Sequence, residues 1–594
     1  MPQSFAAIVE TFLAEYFALL PVHATAAGNH EHDARWPDLS EAGRAERLAF
    51  FDRWEATLRA LDDGALTDGG ALTDDERIDR DLLLGEIDAA RFEETELRTE
   101  AWDPLEWIYL MGGGIFPLVA REFAPLADRL ASVAGRLEGV PAVVAAARDT
   151  LIGHGDRPVS RLHAETALKQ LPGIVDLADQ ARAAADDEAA RSDPAVAELR
   201  PRLAAAAETA KAALAEFEKH LRDIVLPTAE GEGRLGPELF AAKLRRTLRN
   251  PDLTPERVLA SAERDFVTVR AELVRLAREA WPTWRPGMPQ PNDDSAIVRG
   301  VLDAVASEHQ RAEDLLDYCR AELARIEDFC RATDLVGLAD EPLEIRWTPL
   351  YLRAFGGAML DSPGPLDQGQ KAFFSITPIP DEWSPDQAES YLREDNDRML
   401  RLLTIHEAVP GHYLQGAYAN RHPSIVRSVF WSGVFAEGWA VYVTQVMMDA
   451  GYGADDPALL LTHWKFYLRA VTNAIIDVRI HTMGMTEDEA VALMVDGGFQ
   501  EEAEARQKYE RARLTSTQLS TYYVGSLEFW ELEREVRRRA AAASGDPRGG
   551  AAVPEPRVVG GFGDTPGFVY RRHLEACISH GSPPLTLLRR ILLR

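Results

Sequence analysis

The 594-residue chain is short of cysteine, of positive charge and of long apolar runs. Its three cysteines, Cys319, Cys330 and Cys577, are too few and too scattered for a disulfide framework or a thiolate metal site, and a reducing compartment suits them. Lysine and arginine total 65 against 96 acidic residues, a formal net charge of −31. A field of that sign repels phosphate backbones and anionic lipid, so nucleic acid and membrane surfaces are excluded as expected partners. No apolar run approaches the roughly 18 residues of a membrane span. The N-terminal "MPQSFAAIVETFLAEYFALL" lacks a basic leader, and Glu10 and Glu15 interrupt its apolar positions. It reads as an amphipathic helix rather than a signal peptide, and the expected location is cytoplasmic. Repeats of fixed period are missing too, which excludes a solenoid.

What is present is helix. Hydrophobic residues at 46% and charged residues at 27% give an ordinary globular balance, enough for a large core. Up to about residue 340, Ala-, Leu-, Arg- and Glu-rich segments with helical periodicity alternate with short Pro and Gly breaks. The alanine-rich stretch near 184–222 keeps no clean heptad and reads as a packing helix rather than a coiled coil. Between about 343 and 380, "LEIRWTPLYLRAFGGAML" and "KAFFSITPIP" carry aromatic and β-branched residues between Gly and Pro, the pattern of short strands. Helices resume from about 385 to 540, and a Gly/Pro/Ala-rich loop near 540–567 reads as an exposed excursion. The division is therefore 1–340, a mainly helical region, and 341–594, a region with a small sheet and the motifs below, in one integrated unit.

The string "TIHEAVPGHYLQ" holds His406, Glu407 and His412. Two histidines and a glutamate on a helix suit zinc hydrolysis: the imidazoles hold the ion, the carboxylate acts as general base, and a position stays open. The usual spacing is i, i+4. Here the histidines are six apart, which on a regular helix separates them by about 240°. The residues ahead of His412 are Pro410 and Gly411. Proline removes the hydrogen bond back to the His406 carbonyl and glycine tolerates unusual torsions, so a kink or bulge between the histidines is expected.

Twenty-five residues on, in "SGVFAEGWAVYV", Glu437 interrupts an apolar helix. A carboxylate there is costly unless paired or metal-bound, which makes Glu437 the natural third ligand of a two-histidine, one-glutamate set. In "IIDVRIHTMG", Asp477 and His481 share a helical face, and His481 is either an outer or transition-state group, an alternative ligand, or a helix-end histidine meeting a carboxylate locally. In "STQLSTYYVG" a tyrosine pair before a glycine offers a phenol to a developing oxyanion, or simply packs.

Together these strings resemble the bacterial family known as domain of unknown function 885, placed among the zincin metallopeptidases of gluzincin type. "HEAVPGHYLQ" matches its His-Glu-x-x-Pro-Gly-His-x-x-Gln pattern, "FAEGWAVY" its Glu-Gly-Trp element, "DVRIH" an Asp-x-Gly-x-His element and "QLSTYYVG" a Gln-x-x-x-Tyr-x-x-Gly element, with Arg479 standing where the family usually has Gly. The resemblance implies a mainly α, zincin-like metallopeptidase fold, two helical halves around a deep cleft with a small β-sheet beside the zinc helix. It implies Zn2+ on His406, His412 and Glu437, Glu407 as general base, and His481 with Tyr522 as oxyanion stabilisers.

The expected function is zinc-dependent hydrolysis of short peptides. Extended substrate would pair with the strand Ala372–Ile376, Phe374 among it, and Arg469 or Arg479 would receive a substrate carboxylate. Two alternatives stand: hydrolysis of a non-peptide amide or isopeptide, and a metal-free helical scaffold. The partner expected is a peptide or small amide, and the sequence leaves the oligomeric state undetermined.

Overall fold

A computed structural model describes residues 4–594 except 62–70, 350–352, 354–356, 368, 381–382, 548–552, 554–555 and 557. The architecture is mainly helical with one three-stranded sheet. Helix α1 (Phe5–Leu19) buries Phe5, Ile8, Val9, Phe12, Leu13 and Phe17, the amphipathic pattern expected of it. A bundle follows, made of α2 (Pro104–Ala120), α3 (Leu126–Thr150), α4 (Arg161–Asp186) and α5 (Pro194–His220), sharing one apolar core. The alanine-rich stretch is α5, whose small residues Ala206, Ala207 and Ala210 let it lie close against α3. Helix α3 is long and apolar enough to cross a membrane by length and composition, contrary to the sequence expectation, and half of its apolar window is buried in the bundle.

Helix α6 (Pro255–Trp284) packs on the second half of the chain, along α10 (Pro457–Met483). Other helices of that half include α7 (Asp397–Glu407), α8 (His412–Asn420), α9 (Gly433–Asp449), α11 (Glu502–Thr515) and α12 (Gln518–Ala543). The largest core cluster takes residues from both sides of residue 340: Leu273 and Trp281 from α6, Trp439 and Val443 from α9, Leu468 and Val471 from α10.

The strands are β1 (Leu343–Trp347), β2 (Ala358–Asp361) and β3 (Ala372–Ile376), in the order β1-β3-β2. Strand β3 is central, parallel to β1 and antiparallel to β2, with all five residues buried. This corrects the expectation for Ala372–Ile376: with neighbours on both sides it has no free edge for a substrate. Phe374 is fully buried among Leu315, Cys319, Leu400 and Ala408, and is core rather than a substrate contact.

The N-terminal bundle grips this sheet. Arg121, at the end of α2, donates to Asp361 Oδ1 at 2.6 Å, to the Ser362 carbonyl at 2.8 Å and to the Lys371 carbonyl at 2.9 Å. The Leu366 N–H donates to the Ala27 carbonyl at 2.9 Å, tying the same β2–β3 connection to the N-terminal helices. Of the loop near 540–567, residues 548–552, 554–555 and 557 lie outside the described set. Its far end is no excursion: Phe562 is buried in the main core and the Gly561 N–H donates to Asp449 at 2.6 Å.

Candidate metal centre

Helix α7 starts on Asn396, whose side chain accepts from the Arg398 and Met399 N–H groups, and stops at Glu407. Helix α8 starts at His412. The helix is therefore interrupted between the two histidines, as the spacing requires. Ala408 leaves helical torsions at φ −106°, ψ −94°, and Pro410 occupies a position where no N–H is needed. The Gly411 N–H reaches back to the Ile405 carbonyl at 3.0 Å, and the Leu414 N–H to the Ala408 carbonyl at 3.3 Å. Each bond spans six residues instead of four, which absorbs the two inserted ones. The Pro410 carbonyl, freed by the break, accepts from Trp439 Nε1 at 2.8 Å, so the tryptophan of the Glu-Gly-Trp element braces it. Gly411 is required by space. A Cβ there would lie 1.9 Å from the His406 carbonyl oxygen and 2.3 Å from that of Ile405.

The break swings the two imidazoles together, with ring centroids 4.8 Å apart and the planes nearly perpendicular. His406 Nε2 lies 4.0 Å and His412 Nε2 3.6 Å from the same atom, Glu437 Oε2. Ligand atoms about 2.1 Å from a tetrahedral zinc ion are about 3.4 Å apart. The three side chains thus fit a divalent ion in donor type, in number and in spacing, and among the described residues theirs is the cluster of three such groups that could hold one. Side-chain exposures of 7%, 16% and 22% for His406, His412 and Glu437 leave the set deep but reachable by solvent.

Burial and the neighbouring His412 hold His406 down at about 3, so it stays neutral, the form that can bind a metal ion. Burial also disfavours charge on His412, but the Glu437 carboxylate outweighs it and leaves that imidazole above its ordinary value. For Glu437, burial is outweighed by the two imidazoles, and its pKa is lowered. Glu407 follows directly after His406. Burial raises it to about 7, partly offset by His412 and by a backbone hydrogen bond from Leu360 in β2. That bond brings the carboxyl beside β2, an edge strand of the sheet. Nothing in the sequence singles out Leu360.

Tyr522 reaches the centre from α12. Its hydroxyl lies 3.0 Å from Gln518 Nε2 and 3.1 Å from Arg511 Nη2, and Gln518 Nε2 is 3.3 Å from Glu437 Oε1. Burial and Glu437 push the phenol up to about 12, so it stays protonated. Gln518 opens the Gln-x-x-x-Tyr string, and its i, i+4 relation to Tyr522 puts both on one face. Helices α9 and α12 approach this closely because Gly438 meets Gly525. A Cβ on Gly438 would lie 2.4 Å from Gly525 backbone, and one on Gly525 2.1 Å from the Val434 carbonyl. The glycines of both strings are therefore contact points between helices. Phe466 from α10 packs edge-on against His406, with centroids 5.6 Å apart, and carried no signal in the sequence.

Three expected residues are placed elsewhere. His481 is sealed, with Nδ1 accepting from the Leu235 N–H at 3.2 Å, Nε2 bonded to the Ala512 carbonyl at 2.9 Å, and the ring stacked on Phe240. Neither nitrogen is free for a metal or a substrate. Its partner Asp477 instead anchors the start of α12, accepting from the Thr517 N–H at 3.0 Å and from the Ser520 N–H and hydroxyl at 3.1 and 2.6 Å. Arg479 lies at the surface, paired with Glu263 at 2.5 Å. Arg469 is already neutralised by Glu394 and by Glu504 at 3.0 Å.

No curated protein matches the chain. Two solved structures resemble it over their full extent. A protein of Shewanella oneidensis, described as a "putative lipoprotein of unknown function", is 30% identical with a TM-score of 0.77, each chain covering 100% of the other. A protein of Colwellia psychrerythraea, described as a "putative lipoprotein", is 15% identical with a TM-score of 0.73, the match covering 99% of this chain and 97% of that one, and it shares the fold. Residues 21–592 match the family described as bacterial protein of unknown function (DUF885), and the chain belongs to that family.

Proposed function

We propose that the protein is a zinc-dependent hydrolase of the zincin class, with its helical halves around a cleft, that cleaves amide bonds in short peptides. The observation that carries this reading is the convergence of His406 Nε2 and His412 Nε2 on one oxygen of Glu437, with Glu407 adjoining. Zinc held by these three side chains would polarise a carbonyl and bring the pKa of a water near 7. Glu407 would accept the proton of the attacking water and pass it to the leaving amine. The Tyr522 hydroxyl is the donor available to the carbonyl oxygen as it becomes negative, held in place by Gln518 and Arg511. The outer edge of β2, beside Glu407, offers backbone groups to an extended chain.

Metal quantification joined to mass-spectrometric profiling of a peptide mixture tests this, with wild type beside Glu407→Gln. Expected are one zinc per chain in both proteins and cleavage about 10²–10⁴-fold slower in the variant. Protein purified without chelator that holds no stoichiometric metal, or equal cleavage by both, overturns the reading. A cytoplasmic location is proposed from the three cysteines, all free and buried. Both similar structures carry the description "putative lipoprotein", and cell fractionation decides between the two locations.

A further inference from the structure

In a chain with 96 acidic and 65 basic residues, an interior cation without an anion is out of place. Lys465 and Arg469, near the centre on α10, share Glu394, and Arg469 also meets Glu504. Arg511 and Lys508, one turn apart on α11, differ. Among the described residues no carboxylate comes within ion-pair distance of either. Arg511 spends one nitrogen on neutral partners, Nη2 lying 3.2 Å from Gln518 Oε1 and 3.1 Å from the Tyr522 hydroxyl. The remaining nitrogens of Arg511 and the Lys508 ammonium carry no hydrogen bond to a described residue, and both side chains are half-buried and keep some contact with solvent. Burial and the adjacent Arg511 hold Lys508 below its ordinary value against the pull of Glu504, a cost that an incoming anion would relieve.

We propose that Arg511 and Lys508 form a carboxylate-receiving subsite, so that the substrate is a peptide with a free C-terminus one or two residues beyond the cleaved bond. The inference rests on the peptidase reading above and names its substrate class. Guanidinium offers a carboxylate two parallel N–H donors, and the ammonium adds a second charge. Reach sets the distance. Glu437 Oε1 is 3.3 Å from Gln518 Nε2, and Gln518 Oε1 is 3.2 Å from Arg511 Nη2, so one amide side chain separates a ligand of the metal centre from the guanidinium. An extended residue spans about 3.5 Å, which places a carboxylate on Arg511 on the first or second residue past a carbonyl at the centre. The product released is then a single amino acid or a dipeptide.

Short peptides made in pairs, as free acid and as C-terminal amide, test the subsite. Binding is measured by calorimetry on the zinc-loaded Glu407→Gln protein, which needs no turnover, and cleavage on wild type. Amidation is expected to weaken binding about 30-fold, the loss of a charge-assisted contact. Adding Arg511→Gln or Lys508→Gln should bring the acid-to-amide ratio toward one, while zinc content and Tm hold. Equal binding of both forms by the parent, or binding of neither, overturns the subsite. So does an Arg511→Gln protein that weakens both forms alike, which would leave Arg511 only positioning Tyr522. Discrimination without cleavage by wild type would sink the peptidase reading and keep the subsite. Cleavage of both forms at one rate would sink the subsite alone.

Discussion

Two histidine–carboxylate pairs lie on neighbouring elements of this protein. His481 and Asp477 sit i, i+4 on an uninterrupted helix, 4.0 Å apart, with no exposed side-chain surface. His412 and Glu437 come from different helices, 3.6 Å apart, and both keep some exposure. By sequence spacing the first pair is the more regular candidate. The difference lies in where the hydrogen bonds go. His481 spends both nitrogens on backbone and Asp477 spends both oxygens on the start of α12. His412, at the break in the helix, and Glu437 face each other and His406, with one Glu437 oxygen also meeting Gln518. A buried polar group whose partners are all backbone is scaffold, and one that faces other potential metal ligands is a candidate site.

The strongest way to break that contrast is His412→Ala. Metal affinity should fall by more than the 10- to 100-fold typical of losing an outer partner, and turnover should go with it; isothermal titration with zinc reads the first. Full affinity in this variant would return His481 to the ligand set against its sealed surroundings. Next in size, Tyr522→Phe should lower kcat about 10²-fold with zinc retained, the cost of one oxyanion donor, and steady-state kinetics on a cleaved peptide check it. Gly525→Ala acts through packing alone. A methyl driven into α9 should cost about 3 kcal/mol in chemical denaturation and loosen Tyr522 from Glu437.

The smallest effect on chemistry belongs to His481→Gln, for which zinc content and kcat should be unchanged and stability should fall by about 1–2 kcal/mol. Its pH signature is separate. Burial holds His481 at about 4, below its ordinary value. As pH falls from about 6.5 toward 4 the unfolded chain takes up this proton before the folded one does, so the stabilisation present at neutral pH is lost across that window. Thermal melts of wild type should drop more steeply than those of the variant over the same range.

How much of this was legible can be judged residue by residue. Helical periodicity and the strand-rich 343–380 segment gave the mainly helical architecture and its small sheet, because both depend on local pattern. Pro410 and Gly411 announced the break, since one lacks an N–H and the other lacks a side chain. The motif strings brought in His406, Glu407, His412, Glu437 and Tyr522. Strand order stayed hidden, because pairing β3 between β1 and β2 is a long-range choice that four apolar residues and one serine do not encode. The expected roles of Arg469 and Arg479 depended on something local pattern does not encode, the carboxylates that the fold brings to them: Glu394 and Glu504 for the first, Glu263 for the second. His481 was over-read, since an acid–histidine spacing says nothing of backbone groups arriving from Leu235 and Ala512.

Arg121 has a consequence for inheritance. It belongs to the helical bundle, yet three of its contacts hold the strand connection that carries Leu360 to the back of Glu407. A gene cut at residue 340 would yield a C-terminal product that encodes all the proposed site residues and leaves Glu407 without the support of its strand. Fragments, fusions and domain transfers at that boundary should therefore lose the proposed activity even if they fold. The two stretches of sequence have to travel through evolution as one piece.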